Sequence, residues 1–444
     1  MIFFSAIFFV LFTQCISVKI LVYNPKFGHS HSNFMGRIAD VLAEAGHDVT
    51  SLVPELQPNL FEGTTKSKVI KVSNDEEAGA NWLWMISKDD DNPFVTTESF
   101  FQQLWTAPVY SRSFGLQCRH TISDENLLNK LKESNFDVLI TETIDYCGVG
   151  NQIFPLSTPL VEMTGRSLGI PSEPSFIPSW RTPSLNIHGM WDRIQNAFNI
   201  YTGDYYLMRT KWACEAAFQE KYGSDFPSLS SIVSDSVYHF TNTDPPIDFS
   251  RPLLPKVVSI AGISVRNPKK LDNEWDQILT SGNINGFISH GGAGSCIETA
   301  THGVPGIFIP LFADQCRNSA MMTHAGIGIY FDKYDVKNTG LLVEAIRKLL
   351  SSEYYNNSHS FCINTLKLYD NAKKIAVMLA KRPFSAQELL VKHVQFAAET
   401  GPLPWTKPES LQLSFFEYYL LDAFAVFLLS LAASLPFLYF LWKC

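Results

Sequence analysis

The chain has 444 residues, 46% of them hydrophobic, which is enough for two large domains with cores of their own. The formal net charge is −8 and the lysines and arginines are scattered, which argues against a nucleic-acid-binding surface. The eight cysteines include no CxxC pair and no Cys/His spacing typical of zinc sites, so we expect no metal.

Both ends of the sequence are strongly apolar. Residues 1–17 end in small side chains and predict a cleaved secretory signal peptide, the alternative being a buried first strand. Residues 423–442 carry no charge and would span about 30 Å as a helix, the thickness of one hydrocarbon core. We therefore predict a connector at 401–420 and a transmembrane helix at 421–442, with a lumenal body and a very short cytosolic tail. The alternative is a buried C-terminal helix.

The N-terminal part begins with a strand, helix, strand pattern. Residues 18–24 and 47–53 predict the strands, and the apolar positions between 34 and 45 fall on one face of a helix. Gly46 stands where a glycine commonly ends a helix. This order predicts a parallel sheet with a right-handed crossover.

Further along, residues 136–142 and 159–163 predict two more strands. The region before them, at about 60–125, is rich in aromatic residues and is a candidate ligand pocket. An oxidising lumen would permit disulfides there, for instance between Cys118 and Cys147, although the sequence assigns no pairing.

A proline-rich stretch divides the chain in two. Residues 242–255 contain four prolines and few helix-forming residues, which predicts a linker. We expect an N-terminal domain at 18–250 and a C-terminal domain at 251–400. The second domain would begin with a strand at 257–263 and end with a helix that starts after Pro383. The pattern as a whole indicates an α/β fold.

The most informative segment lies at residues 287–318. An apolar strand end is followed by a tight turn at His290, Gly291 and Gly292, and a helix starts near Gly294. A helix N-terminus behind a glycine turn presents backbone N–H groups and the positive end of the helix dipole, which suits a phosphate.

Three further side chains extend this predicted phosphate site. Glu298 lies about one helical turn on, where a carboxylate accepts hydrogen bonds from two ribose hydroxyls. Asp314 and Gln315 follow the next buried strand, at the edge where open α/β sheets bind ligands. The segment therefore predicts a nucleotide-sugar site, with the diphosphate on the turn, ribose on Glu298 and sugar hydroxyls on Asp314 and Gln315.

This segment resembles the donor-binding signature of the UDP-glycosyltransferases, which ends in the F-A-D-Q found here at 312–315. The resemblance continues in R-P-L-L-P at 251–255 and in residues 415–422, so it covers nearly the whole chain. Several fixed offsets match at once: His290, Gly291, Gly292, Glu298, Pro305, Pro310, Asp314 and Gln315. The resemblance implies two Rossmann-like domains that face each other, the GT-B architecture.

The family resemblance also implies a catalytic histidine. His31 lies fifteen residues before Gly46, the offset of the family's base, whereas His29 is the competing candidate outside that register. The strand at 136–142 matches the family strand that ends in an aspartate, and Glu142 takes that place here, with Asp145 as the alternative. Glu142 would orient the imidazole of His31 while its other nitrogen acts as base, with inversion at the sugar carbon and without a metal.

The implied substrates follow from the same resemblance. The donor would be UDP-glucuronate or UDP-glucose as a co-substrate, with no cofactor, and the acceptor a small lipophilic hydroxyl compound. The protein would be located in the endoplasmic reticulum membrane, and it could form homo-oligomers or hetero-oligomers with relatives.

One part of the family pattern is absent from the sequence. Members carry a strand, helix, strand and a W-x-P-Q motif before the signature, whereas residues 281–285 lead directly into Gly286. The second domain is therefore expected to be truncated between about 280 and 286. An aromatic–base stack worth roughly 1–3 kcal/mol would be lost with the motif. A non-catalytic family member that binds acceptor or pairs with complete relatives is the alternative to an active enzyme.

Overall fold

The structure, a computed structural model, describes residues 17–90, 94, 100–148, 153–156, 165–170, 172–265, 284–350 and 365–443. Three predicted features lie outside the described residues: the signal peptide up to residue 16, the strand at 159–163, and the shortened stretch at 280–283.

The larger sheet has seven parallel strands among the described residues. In chain order they are β1 (Lys19–Tyr23), β2 (Asp48–Pro54), β3 (Lys68–Val72), β4 (Val138–Thr141), β5 (Ile153–Leu156), β6 (Tyr238–Thr241) and β7 (Val257–Ser259). Their order across the sheet is β3-β2-β1-β4-β5-β6-β7, with β1 between β2 and β4. The predicted opening unit is confirmed, and Gly46 after the first helix has a φ of 92°, which favours glycine.

Helices cover both faces of this sheet and continue to the C-terminus. In the first part they are α1 (His29–Glu44), α2 (Glu76–Asp90), α3 (Phe100–Ser123), α4 (Glu125–Glu133), α5 (Met190–Tyr222) and α6 (Leu229–Ser234). In the second part they are α7 (Ala293–His302), α8 (Gln315–His324), α9 (Thr339–Leu350), α10 (Thr365–Ala380), α11 (Ala386–Thr400), α12 (Phe415–Tyr418) and α13 (Leu421–Lys443).

Side chains of β1 alternate between two cores because successive residues of a strand point to opposite faces. Ile20 and Val22 pack with α1 and α11, whereas Leu21 and Tyr23 pack with α3 and α5. Both faces are therefore buried, as expected for a central parallel strand.

Two segments assigned to the second domain from sequence lie on the first sheet. Strand β7, expected to open the second domain, is the last strand of the first sheet through its pairing with β6. Helix α11, expected to close the second domain, packs Leu390 and Val394 into the core that contains Ile20. The proline-rich stretch therefore precedes the last strand of the first sheet, and the chain returns to that sheet after the second.

The second sheet has three parallel strands within the described residues: β8 (Phe287–Ser289), β9 (Gly306–Phe308) and β10 (Gly328–Tyr330). Their order is β10-β9-β8. β9 is buried throughout, whereas Phe287 and Ile288 on β8 are 44% and 50% exposed. Among the described strands β8 is thus at the edge of the sheet, and two of its apolar side chains are half-exposed.

A disulfide joins α3 to the short 3-10 turn after β4, between Cys118 and Cys147. Replacing both cysteines by serine is expected to lower the free energy of unfolding by about 3–4 kcal/mol, because the bond closes a loop with a sequence separation of 29. Chemical denaturation with and without reductant measures this. Reductant should destabilise the wild-type chain and leave the double variant unchanged; equal sensitivity in both would contradict the expectation.

The apolar C-terminal segment forms α13, which contains Pro436. Across the part of the chain that the structure describes, no helix combines the length and apolar character needed to cross a bilayer. The predicted span at 421–442 includes residues 437–442, whose side chains lie outside that part.

Candidate active site

A histidine and a glutamate meet at the carboxyl ends of neighbouring strands. His31 lies in the first turn of α1, which follows β1, and Glu142 directly follows β4. The Nδ1 atom of His31 is 3.5 Å from Oε2 of Glu142, and the Glu142 side chain is fully buried. This separation is slightly longer than a hydrogen bond, as is common before substrate binds.

The two competing candidates contact other groups. His29 is exposed, and its Nδ1 lies 3.2 Å from the side-chain nitrogen Nδ2 of Asn33. Asp145 is buried and accepts hydrogen bonds from the Tyr23 hydroxyl at 3.1 Å and the Cys147 backbone N–H at 2.9 Å. The geometry thus pairs His31 with Glu142, and Asp145 anchors the disulfide turn to β1.

Asp145 makes stability depend on pH. Burial raises its pKa from 3.8 to about 7, and the nearby Glu142 carboxylate adds to the rise. Because the folded pKa is raised, Asp145 favours the folded state most at low pH, and this contribution is lost as the pH rises through about 7. Replacing Asp145 by Asn should flatten the fall in unfolding free energy between pH 4 and 7, measured by urea titration. An unchanged slope would contradict this origin.

The glycine turn after β8 has the geometry that only glycine tolerates. Gly291 has a φ of 79°, and a Cβ there would lie 2.5 Å from the Ser319 hydroxyl. A Cβ on Gly292 would lie 2.5 Å from Nε2 of the exposed His290, whereas Gly294 faces open space. Gly292 is the N-cap of α7 and supplies no side-chain cap, so this helix end presents its backbone N–H groups beside His290.

Glu298 is exposed on α7, four residues after Gly294 and therefore on the same helix face. That placement puts the carboxylate one turn from the open N-terminus, as the sequence predicted. The two residues border one exposed surface that leads away from the glycine turn.

A strained loop carries the last two predicted residues. Ala313 has a φ of 53°, uncommon for a residue other than glycine. Gln315 is buried, and its Oε1 accepts hydrogen bonds from the backbone N–H groups of Leu311 at 2.8 Å and Phe312 at 3.2 Å. The side-chain oxygen of Gln315 therefore stabilises the loop that presents Asp314.

Asp314 is the donor-loop residue whose pKa responds to the first-domain histidine. Burial raises the pKa of its carboxyl group, while a hydrogen bond from Asn318 and the charges of His31 and His290 oppose the rise. Asp314 therefore lies within electrostatic reach of His31 and of the glycine turn.

Aromatic side chains pack beside His31 in the core of the first domain. The ring centroid of Phe27 lies 4.4 Å from that of His31 and 5.7 Å from that of Trp82 on α2. Trp82 in turn lies 5.7 Å from Tyr110 on α3, which lies 5.8 Å from Tyr206 on α5. Phe27 and Trp82 are buried, so these rings form an aromatic core cluster next to His31, and the ligand pocket expected near 60–125 stays a prediction.

Two residues of α8 were not found by sequence reasoning. Asn318 is buried and donates to Asp314 and to the Gly291 carbonyl oxygen. Arg317 is buried and forms an ion pair at 2.5 Å with Asp248, in the proline-rich stretch. The i, i+4 spacing of Asp314 and Asn318 could have predicted their hydrogen bond. No pattern in the sequence could have predicted the ion pair of Arg317 with Asp248.

Comparison with known protein families decides the assignment. The family model described as UDP-glucoronosyl and UDP-glucosyl transferase matches residues 18–286 and 276–443. The chain belongs to this UDP-glycosyltransferase family. Its two matched parts overlap at 276–286, shortly before the glycine turn in sequence.

Relatives of this family member include mammalian and nematode proteins. UDP-glucuronosyltransferase 3A1 of Bos taurus is 23% identical over 509 residues, which cover 94% of this chain and 90% of the relative. UDP-glucuronosyltransferase 3A2 of Homo sapiens is 24% identical over 522 residues, covering 96% and 92%. The putative UDP-glucuronosyltransferase ugt-48 of Caenorhabditis elegans is 24% identical over 523 residues, covering 96% and 93%.

A solved structure has a similar fold to this UDP-glycosyltransferase family member. The glycosyltransferase SnogD from Streptomyces nogalater superposes with a TM-score of 0.52 at 13% identity, covering 86% of this chain and 99% of that one. This likeness supports the GT-B glycosyltransferase fold.

Proposed function

We propose that this chain transfers glucuronate or glucose from a UDP-sugar to a hydroxyl group of a small lipophilic acceptor. Membership of the UDP-glycosyltransferase family supports a UDP-sugar donor. The observation that carries the finer proposal is the placement of His31 beside the buried carboxylate of Glu142, with the donor-loop carboxylate of Asp314 within electrostatic reach of that histidine.

The proposed reaction is a single displacement. Glu142 holds Nδ1 of His31, which leaves Nε2 to accept the proton of the acceptor hydroxyl. The hydroxyl oxygen forms a bond to the anomeric carbon of the sugar, and the bond from that carbon to UDP breaks on the opposite face. The sugar therefore inverts at that carbon.

The leaving group is proposed to bind at the glycine turn. The uncapped N–H groups at the start of α7 would carry the developing diphosphate charge together with His290. Glu298 on the next turn would accept hydrogen bonds from the ribose hydroxyls. The carboxylate of Asp314 would accept hydrogen bonds from hydroxyls of the transferred sugar, and the side-chain amide of Gln315 would donate to them.

The acceptor is proposed to bind near His31. The ring of Phe27 packs 4.4 Å from the imidazole, so the first-domain side of the histidine is apolar. Apolar surroundings favour lipophilic compounds with one hydroxyl directed at the histidine.

Turnover of the two donors with phenolic acceptors tests this proposal. With the full chain in detergent, UDP should be released from UDP-glucuronate, UDP-glucose or both, and the release should require the acceptor. NMR of the product should show the inverted anomeric configuration. A retained configuration would contradict the displacement, and no UDP release with either donor would contradict the transferase proposal.

A second candidate is a non-catalytic family member that binds acceptor or pairs with complete relatives. Among the described strands β8 pairs with β9 alone and exposes Phe287 and Ile288, which favours this candidate because a strand of a parallel sheet is normally covered. The alignments with relatives exceed the 444 residues of the chain, and the two family matches overlap at 276–286, which supports an internal segment lacking here. This candidate predicts no UDP binding.

We also propose an endoplasmic reticulum location with a lumenal body. The Cys118–Cys147 disulfide is typical of oxidising compartments, and the apolar leader and the apolar segment at 423–442 are consistent with membrane attachment. Expression in cells tests this: the protein should stay in the membrane pellet after carbonate extraction, and release into the supernatant would contradict attachment.

A further inference from the structure

Asn318 links the two parts of the donor-binding segment. It lies one turn after Asp314 on α8 and is fully buried. Its side-chain nitrogen donates to the Gly291 carbonyl oxygen at 3.0 Å and to Oδ2 of Asp314 at 2.9 Å. A single amide group therefore contacts both the glycine turn and the carboxylate of the sugar-binding loop.

The two partners determine the orientation of the amide. A carbonyl oxygen and a carboxylate oxygen accept hydrogen bonds only, so the NH₂ group of Asn318 must face them. Asp314 is the N-cap of α8, yet its side chain makes no capping bond to the helix. Its carboxylate is instead directed to Asn318.

From these contacts, and resting on the proposed function, we propose that Asn318 is a positioning residue for glycosyl transfer. It fixes the distance between the Asp314 carboxylate and the glycine turn. That distance must match the distance between the transferred sugar and the diphosphate in the donor. Asn318 itself touches neither the sugar nor the diphosphate in this arrangement.

Neighbouring contacts keep the same helical turn in place. The Ser319 hydroxyl donates to the Gln315 carbonyl oxygen at 2.7 Å and lies against Gly291. Arg317, the residue before Asn318, forms an ion pair with Asp248. The amide of Asn318 is thus presented from a rigid element rather than from a mobile loop.

The electrostatic surroundings define what loss of the amide should do. The groups that face Asp314 are His31 from α1, His290 from the glycine turn, Cys296 from α7 and Cys316 from its own helix. Burial raises the pKa of Asp314, and the bond from Asn318 is the first of the effects that lower it. Without that bond the carboxyl group should keep its proton to a higher pH.

Replacing Asn318 by Ala is the direct test. We expect kcat/KM for the UDP-sugar to fall about 10- to 100-fold, because a buried charge-assisted hydrogen bond is lost, and the acid limb of its pH profile to move to higher pH. Thr323→Ala is the matched control, since the Thr323 hydroxyl donates to the Ser319 carbonyl oxygen within α8, away from Asp314 and the glycine turn. It should lower stability slightly and leave the pH profile unchanged.

A second measurement works without turnover. The free energy of unfolding is measured against pH for the wild type and for Asn318→Ala, each with and without the additional change Asp314→Asn. The difference that Asp314→Asn makes in each background reports the pKa of Asp314 there. We expect a higher value in Asn318→Ala than in the wild type. If the wild-type chain is inactive but this shift appears, the proposed function fails and the positioning of Asp314 stands. If Asn318→Ala matches Thr323→Ala in both measurements, the positioning role is overturned.

Discussion

Replacing His31 by alanine is expected to lower kcat by about 10²- to 10⁴-fold, the usual contribution of a general base. In the proposed mechanism the imidazole takes the acceptor proton on Nε2, while its Nδ1 lies 3.5 Å from Oε2 of Glu142. The affinity for UDP should be unchanged, because the glycine turn and Glu298 remain. Steady-state turnover and UDP calorimetry on the same preparation separate the two effects.

The exposed neighbour of His31 supplies the matched control. His29 lies in the same helical turn beside Asn33, so His29→Ala should keep nearly wild-type turnover. Glu142→Gln should reduce turnover as well, because an amide holds the imidazole but does not stabilise its charged form. A larger loss in His29→Ala than in His31→Ala would contradict the assignment of the base, and normal turnover in Glu142→Gln would remove that residue from the mechanism.

The second large effect is expected in stability. Replacing Arg317 by Met should lower the free energy of unfolding by about 3–5 kcal/mol, because the carboxylate of Asp248 is left buried without its partner. Arg317 also lies over the ring of Phe249 at 5.3 Å, so the pair connects α8 to the proline-rich stretch in two ways. Denaturant unfolding of the full chain measures the loss.

An exposed ion pair on the first domain provides the comparison. Arg112 and Glu77 are both solvent-exposed, so Arg112→Met should cost only about 0–1 kcal/mol. In the Arg317→Met background, Asp248→Asn should recover part of the stability because it removes the unpaired charge. Equal losses in Arg317→Met and Arg112→Met would show that burial of the first pair has no energetic consequence.

Local patterns predicted the elements that are governed by neighbouring residues. Residues 18–53 change from strand to helix periodicity and back, and Gly46 marks the turn, so the opening strand–helix–strand unit could be predicted. The placement of β7 and α11 could not be predicted, because both are ordinary apolar segments. Their positions depend on which sheet covers them, and a proline-rich stretch does not reveal on which side of it the sheets separate.

The site shows the same division. Gly291 and Gly292 were predicted because a tight turn before a helix requires glycine, and the structure gives the physical reason in the contacts their missing Cβ atoms avoid. The pairing of His31 with Glu142 required the family resemblance, since the two residues are far apart in sequence. The ion pair of Arg317 with Asp248 and the strained φ of Ala313 depend on tertiary packing that no local pattern encodes.

Binding of UDP to the full chain in detergent, measured by calorimetry, tests most directly whether the glycine turn and α7 form a donor site. The proposed function predicts saturable binding at one site, weakened about tenfold by Glu298→Ala through the loss of ribose hydrogen bonds. Absence of binding at millimolar UDP, or binding that Glu298→Ala leaves unchanged, would contradict it.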